Sequence, residues 1–142
     1  MVSAASFSKK NNCKPNFINM AENNDSGRLA EQLAADYLVN AGYGIVQRNW
    51  RHFHKEIDII VEKNNTLVIV EVKSRYGRDV TADELISNQK QRHIVDAAEA
   101  YIQKFGVDLE ARFDIIIVTF GQEEGKGEIE HIENAFIPGV NW

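Results

Sequence analysis

Residues 56–73 read Glu56-Ile-Asp-Ile-Ile-Val-Glu-Lys-Asn-Asn-Thr-Leu-Val-Ile-Val-Glu-Val-Lys73, and they predict a β-hairpin. Apolar residues recur at every second position from Ile57 to Val61, which is typical of a strand with one buried face. The second half is β-branched and apolar until Glu71 and Lys73 interrupt it. Asn64-Asn65 separates the two halves, and asparagine tolerates the positive φ that tight hairpin turns require.

A two-residue turn at Asn64-Asn65 fixes the predicted register of the hairpin. That register places Asp58 directly opposite Glu71 and puts Lys73 on the same face. Two opposed carboxylates destabilise a strand pair, so the stability of the fold gives no reason for this arrangement. A divalent cation between them would remove the objection. A slip of one residue in the register would instead move Asp58 to the other face.

These residues suit metal-assisted chemistry. Mg²⁺, or Mn²⁺ in its place, takes oxygen ligands and keeps several waters, so Asp58, Glu71 and the Val72 carbonyl form an adequate predicted ligand set. Lys73 could orient or deprotonate a water, or stabilise the charge that builds on a phosphate. Together they favour phosphodiester hydrolysis. A Glu-x-Lys pair on a strand is by itself more often a plain ion pair.

Composition predicts a soluble single-domain protein of a reducing compartment. The chain has 142 residues, a net charge of -5 and one cysteine, which argues against a disulfide and against a broad nucleic-acid-coating surface. No apolar run suggests a membrane span or a signal peptide, so we expect a cytoplasmic location and no membrane partner. We expect a disordered tail over 1–25, one domain over 26–137 and a loose tail over 138–142. Translation could start at Met1 or at Met20.

The remaining pattern predicts an α/β protein with the element order α-β-β-β-α-β-β. A first helix over 27–40, capped by Asp25 or Ser26, carries Glu31 at the edge of its apolar stripe. Glu31 is then either a solvated rim residue or a carboxylate that reaches a site at the sheet edge. A second helix over 88–105 is long enough to connect two parallel strands. Its Lys90 either snorkels from the rim or points toward the sheet.

Basic residues near the hairpin give a phosphate backbone a place to bind in an otherwise acidic protein. The predicted nucleic-acid contacts are Arg48, Arg51, Lys55, Arg75 and Lys90. For each of them alone, a solvated surface position is the commoner interpretation. His52 and His54 have strand spacing and could hold a metal, although such pairs are more often solvated or face a phosphate.

The pattern of Asp58 followed by Glu71-x-Lys73 across a hairpin resembles the PD-(D/E)xK nuclease core of restriction-endonuclease-like proteins. More specifically, the chain resembles the uncharacterised YraN family, which is similar to archaeal Holliday-junction resolvases. The stretches that carry this resemblance span about residues 27–136: Gly27-Arg-Leu-Ala-Glu31, Gly42-Tyr43, Arg48-Asn-Trp-Arg51, Glu56-Ile-Asp-Ile-Ile60, Val70-Glu-Val-Lys-Ser-Arg75, Lys90, Arg112-Phe-Asp114 and Asn134-Ala-Phe136.

The resemblance implies a mixed β-sheet flanked by helices. It also implies a catalytic triad of Asp58, Glu71 and Lys73, with Glu31 as an additional carboxylate. Lys55 is a departure, because the family usually has glycine directly before the Glu-Ile-Asp run.

Three functional hypotheses follow. The first is a metal-dependent endonuclease that hydrolyses DNA, with branched or structured DNA as one substrate class. The second is a nucleic-acid-binding module that keeps the nuclease fold but has little or no activity. The third is an interaction protein in which Glu71 and Lys73 merely pair. An enzyme acting on a two-fold junction would be expected to form a homodimer, although the residues show no dimer face.

Overall fold

The computed structural model describes residues 20–77, 86–121 and 126–140, with the backbone alone over residues 20–25. These described residues contain two helices and five strands in the predicted order. In chain order these are α1 (Met20–Asn40), β1 (Gly44–His52), β2 (Lys55–Lys63), β3 (Thr66–Tyr76), α2 (Asn88–Phe105), β4 (Glu110–Phe120) and β5 (Gly127–Ile132). Within the described residues, no helix is both long enough and apolar enough to cross a membrane.

The five strands form one mixed sheet in the order β1-β2-β3-β4-β5. Neighbours pair antiparallel except β3 and β4, which are parallel and joined through α2, as the length of the second helix predicted. The Asn64-Asn65 turn is confirmed: both residues have positive φ, and the register runs from Lys63–Thr66 to Ile59–Val70.

The two helices cover opposite faces of the sheet. One core cluster packs α1 against alternate residues of β2, β3 and β4, among them Ile59, Val68 and Ile116. The other packs α2 against the intervening residues, among them Ile69 and Ile117. Because helices cover both faces of the central strands, these strands carry continuous apolar runs, and both clusters are apolar and buried. This two-sided cover buries the centre of the sheet on both faces.

Both ends of α2 lie where the sequence predicted them, whereas α1 starts earlier than predicted. Ser87 caps α2 by accepting a hydrogen bond from the Lys90 N–H, and Gly106 ends the helix in the left-handed conformation, both as predicted. Helix α1 begins at Met20 rather than at Gly27. Asp25 and Ser26 therefore lie inside the helix and do not cap it, and residues 20–25 are helical rather than part of a coil. Residues 1–19 and 141–142 of the predicted tails lie outside the described residues.

Candidate active site

Strand β2 rotates about its own axis near Asp58, so that side chains before and after this residue face opposite sides of the sheet, unlike those of a regular strand. Ile59 packs in the cluster under α1, whereas Ile57 packs in the cluster under α2. A regular strand would place both on one face, so the predicted alternation is wrong at this point. The partner strand shows the same irregularity, because Asn49 lies between the residues paired to Ile57 and Ile59 and has φ of 51°. Trp50, which pairs with Ile57 beside this irregularity, packs edge-on against Tyr101 of α2.

The rotation directs the Asp58 carboxylate into a gap between β2 and β3. Pairing of these strands ends at Ile59–Val70, so the predicted direct opposition of Asp58 and Glu71 is wrong. Instead, the Val72 N–H donates a hydrogen bond of 2.9 Å to Asp58 Oδ2. The carboxylate thus takes the position that a strand carbonyl would occupy. The two acidic groups still lie near one another, since the Glu71 charge helps to raise the pKa of Asp58.

Two lysines converge on Glu71. Lys73 Nζ lies 3.5 Å from Glu71 Oε2, and Lys90 Nζ lies 3.6 Å from the same oxygen. Lys73 follows on the same strand face, and Lys90 reaches the site from the first turn of α2. Glu71 is buried, with 4% of its surface exposed, while both lysines keep partial exposure. The cations therefore stand between the buried carboxylate and solvent.

The carboxyl pair resists full ionisation. Burial, and next the Glu71 charge, raise the pKa of Asp58 to about 8, with the Val72 hydrogen bond opposing this shift. Burial also raises the pKa of Glu71, although Lys90 and Lys73 counteract it. Two carboxylates this close cannot both be charged cheaply in a site poor in water. A cation placed between them would favour the doubly ionised state.

Glu31 reaches the rim of this cluster from α1. Its Oε1 accepts a hydrogen bond of 3.0 Å from Asn49 Nδ2, and its charge contributes to the raised pKa of Asp58. Asn49 belongs to the irregular backbone beside Asp58, so the same rotation positions both carboxylates. The structure thus brings together Asp58, Glu71, Lys73, Lys90 and Glu31, which the sequence placed on separate elements.

The donor set fits a hard divalent cation. In a strand, the N–H and C=O of one residue point to the same side, so the Val72 carbonyl faces the gap that holds Asp58. Two carboxylates and one carbonyl are sufficient protein ligands for Mg²⁺, which keeps several waters. Among the described residues, no three Asp, Glu, His or Cys side chains group as a complete ligand cluster. The site therefore suits a partly hydrated Mg²⁺ or Mn²⁺ better than a metal that requires full protein coordination.

His52 and His54 do not share a ligand position. The His52 ring stacks on Trp50 and contacts Phe53, whereas the His54 ring lies edge-on to His93. These contacts point the two imidazoles at different neighbours.

The predicted phosphate-binding residues differ in availability. Arg51 is 68% exposed and makes only a 3.6 Å ion pair with Glu56. Lys55 is paired to Asp96 of α2 at 2.9 Å, and Arg48 donates to Gln32 of α1. The Arg75 side chain is only 11% exposed and lies across β4 and β5, where it binds Thr119 and Glu130. Arg51 and the two site lysines are therefore the cations best placed to meet a phosphate.

A buried polar network on the α1 face was not predicted from the sequence. Asp114, on β4, accepts two hydrogen bonds from Arg112, one from the Asn134 N–H and one of 2.7 Å from His131 Nε2. Burial would raise the pKa of Asp114, but the hydrogen bonds from His131 and Arg112 outweigh it and hold that pKa below its ordinary value. The available signal was a charged residue inside a buried apolar strand, which requires partners.

The network fastens α1 to the sheet. The other His131 ring nitrogen is 3.0 Å from the Tyr37 hydroxyl of α1, and Arg112 also donates to the Tyr43 hydroxyl at 2.8 Å. Because α1 carries Glu31, this anchoring fixes the distance between the helix and the carboxyl pair. The network therefore supports the candidate site without contacting it.

The family model and the similar proteins that match this chain carry the same family description. The model described as "Uncharacterised protein family UPF0102" matches residues 30–118. A UPF0102 protein from Phocaeicola vulgatus is 43% identical over 122 residues, covering 85% of this chain and 99% of the relative. A UPF0102 protein from Parabacteroides distasonis is 44% identical over 119 residues, covering 82% and 96%. One from Bacteroides fragilis is 45% identical over 120 residues, covering 84% and 98%. The names of these relatives state no activity.

Proposed function

Because the chain belongs to the uncharacterised family UPF0102, we propose its function from the candidate site: a metal-dependent nuclease that hydrolyses phosphodiester bonds in DNA. One observation carries the proposal. Asp58 and Glu71 lie together in a buried gap, with Lys73 and Lys90 both within 3.6 Å of Glu71. The resemblance of this arrangement to the PD-(D/E)xK core and to the YraN family supports it.

The electrostatics favour a cation as cofactor. Asp58 and Glu71 would hold Mg²⁺ or Mn²⁺, with the Val72 carbonyl as a third oxygen. Such a metal, when bound, lowers the pKa of water and polarises phosphoryl oxygens. Neither structural stability nor packing explains a pair of acids whose pKa values are both raised. Titratable groups with strongly shifted pKa values are concentrated at functional sites.

The protein's own residues would position the substrate. Lys73 and Lys90 lie on the solvent side of Glu71, where their ammonium groups can bind phosphate oxygens and stabilise charge that develops there. Lys73 is also placed to orient an attacking water. Glu31, held by Asn49, can accept a hydrogen bond from that water at the rim. Arg51, the most exposed of the predicted contacts, would bind the backbone nearby.

The partners belong to the same proposal. The substrate is DNA, with branched or structured forms as the favoured class, and the location is the cytoplasm. A homodimer is proposed for substrates with two-fold symmetry. The exposed ion pairs of Arg51 and Lys55 do not prevent phosphate binding, because pairs of this kind contribute only about 0–1 kcal/mol.

A cleavage assay tests the proposal. The protein is incubated with Mg²⁺ or Mn²⁺ and with labelled linear, single-stranded and four-way-junction DNA. We expect cleavage that requires the metal and is reduced at least about 100-fold in Asp58→Ala and Glu71→Gln. Glu62→Gln, which removes an exposed acid from the same hairpin, is the matched control and should cut normally. No cleavage of any substrate, or full activity in Asp58→Ala, would contradict the proposal.

The second candidate is a binding module without catalysis. It is favoured by the lack of a three-residue ligand cluster of Asp, Glu, His or Cys among the described residues. Salt-dependent DNA binding that is unaffected by Glu71→Ala, with no turnover, would support it over the nuclease. The plain Glu71–Lys73 pair of the third hypothesis is disfavoured, because Asp58 joins Glu71 in the same gap.

A further inference from the structure

Phe53 is the most exposed large apolar side chain in the described part of the protein, with 84% of its surface accessible. It lies at the tip of the β1–β2 hairpin, where the His52–Lys55 pair closes a two-residue loop. A bulky ring at such a position gains nothing from burial. Its presence therefore needs an explanation other than core packing.

The turn itself does not favour phenylalanine. Phe53 has φ of 59°, a conformation that is strained for an aromatic residue and that hairpin turns normally give to glycine or asparagine. The other hairpin of the same sheet follows this rule, because Asn64 and Asn65 occupy its two positive-φ positions. The β1–β2 turn thus places an exposed ring where local stability would select a different residue. Strained residues of this kind concentrate at functional positions.

The ring is supported by a column of aromatic side chains that begins in the core. Trp50 packs edge-on against buried Tyr101, and the His52 ring stacks parallel to Trp50. The His52 ring centre lies 4.6 Å from that of Phe53. A ring held in this way loses little freedom when it binds a flat partner. Phe53 therefore has the character of a stacking platform rather than of a mobile tip.

The surroundings select a nucleic-acid base as that partner. The loop residues next to Phe53 are basic or titratable: Arg51, His52, His54 and Lys55. The core of a protein–protein contact is depleted of charge, so this ring does not fit the centre of a dimer interface. A ring flanked by cations matches the base-and-phosphate pattern of single-stranded nucleic acid, which is bound by aromatic stacking beside basic groups.

The tip also lies at the end of the sheet that carries the candidate site. Phe53 precedes Asp58 by five residues across the turn and the start of β2, so their separation is at most about 16 Å at about 3.3 Å per residue. Stacked nucleotides rise about 3.4 Å each, so at most about five of them span this distance.

We propose that Phe53 stacks on an unpaired base where a duplex opens, and that this contact sets the cut within about five nucleotides of that base. The inference rests on the proposed nuclease function and adds to it a preference for forks and branches.

Binding in Ca²⁺ without turnover tests the stacking directly. The probe is a forked DNA with 2-aminopurine at the first unpaired position, and the readouts are its fluorescence and the Kd from anisotropy. We expect Phe53→Gly to weaken fork binding about tenfold and to abolish the fluorescence change, because base–aromatic stacking contributes at this level. Phe53→Trp should retain both. Phe105→Ala removes an exposed ring from the far end of α2 and should change neither.

The variant is designed to fold. Glycine suits the positive φ at this turn, so Phe53→Gly should have the same or a higher midpoint of thermal unfolding. In Mg²⁺, we expect wild type to cut forks at one main position, and Phe53→Gly to spread the cuts over several.

Wild-type fork binding by Phe53→Gly would overturn the stacking inference, even if the enzyme cleaves DNA. A changed sedimentation coefficient with unchanged DNA binding would also overturn it, because the tip would then be a contact between copies. If wild type neither binds nor cuts any DNA, the proposed function itself fails and the inference fails with it.

Discussion

Replacing Asp58 with asparagine should stabilise the metal-free protein at alkaline pH. Burial and the neighbouring Glu71 raise the pKa of Asp58 from 3.8 to about 8. Between these values the folded protein binds a proton that the unfolded chain has released. The free energy of unfolding therefore falls as pH rises through this window. Asparagine does not ionise, so it removes the pH-dependent cost of charging this buried position, and its side-chain oxygen can still accept the hydrogen bond from the Val72 N–H.

The size of the effect follows from the same shift. At about 1.4 kcal/mol per pKa unit, the interval from 3.8 to about 8 gives an upper bound of about 6 kcal/mol. Asp58 keeps partial contact with solvent, which reduces the cost, so we expect Asp58→Asn to gain about 2 kcal/mol at pH 8. For a chain of this length, that gain corresponds to a rise of about 6 °C in Tm. At pH 5 only about a quarter of it should remain.

Thermal unfolding followed by circular dichroism in EDTA measures this gain at pH 5 and pH 8. Glu62→Gln, an exposed acid on the same strand, is the control and should shift Tm by little at either pH. A lower Tm for Asp58→Asn at pH 8, or a gain that does not grow with pH, would refute the electrostatic account of the site. The test does not depend on catalytic activity.

Three further substitutions probe the framework around the site. Asp114→Asn should destabilise the fold by about 3 kcal/mol in urea unfolding, because it leaves Arg112 and His131 without their carboxylate. Since the folded pKa of Asp114 is lowered, this difference should be present above about pH 4 and should diminish as pH falls; a difference that does not depend on pH would contradict the role of charge. Gly127→Ala should cost about 1–3 kcal/mol, because its Cβ would lie 2.5 Å from Val118 Cγ1, whereas Gly121→Ala meets no atom within 4 Å and should be neutral. Asn65→Gly should raise stability by about 0.5 kcal/mol, because Asn-Gly is a favoured pair for a turn with two positive φ angles; a loss would show that the Asn65 side chain stabilises the turn.

The sequence was sufficient to predict the hairpin register and the helix connection. The alternation of apolar residues before the turn leaves few positions for it other than Asn64-Asn65. Helix α2 has a clear signal at each end, Ser87 at its start and Gly106 after its last residue. For Lys90 the sequence left two positions open, the rim and the sheet side, and the structure places its Nζ beside Glu71. These predictions depend on local patterns and on chain connectivity.

The rotation at Asp58 could not be predicted in the same way. It coincides with a tertiary contact, the packing of Trp50 on Tyr101, which lies 51 positions further along the chain. Local alternation suggests that Ile57 and Ile59 share a face, and only the position of α2 shows otherwise. The Glu71 charge does act on Asp58, but the ladder pairing of β2 and β3 ends before the predicted Asp58–Glu71 pair.

The Asp114 network was missed for a related reason. Its partners Tyr43 and His131 come from separate elements, so no spacing in the sequence reveals them. The early start of α1 was missed because the residues before Gly27 are polar and show no apolar stripe.

Metal binding between Asp58 and Glu71 is the central claim, and anomalous diffraction from crystals soaked in Mn²⁺ tests it most directly. We expect one peak in the gap between β2 and β3, within about 2.2 Å of an oxygen of each carboxylate and close to the Val72 carbonyl. The same soak of Asp58→Asn crystals should lack the peak. An empty gap in wild-type crystals at millimolar Mn²⁺ would contradict the account.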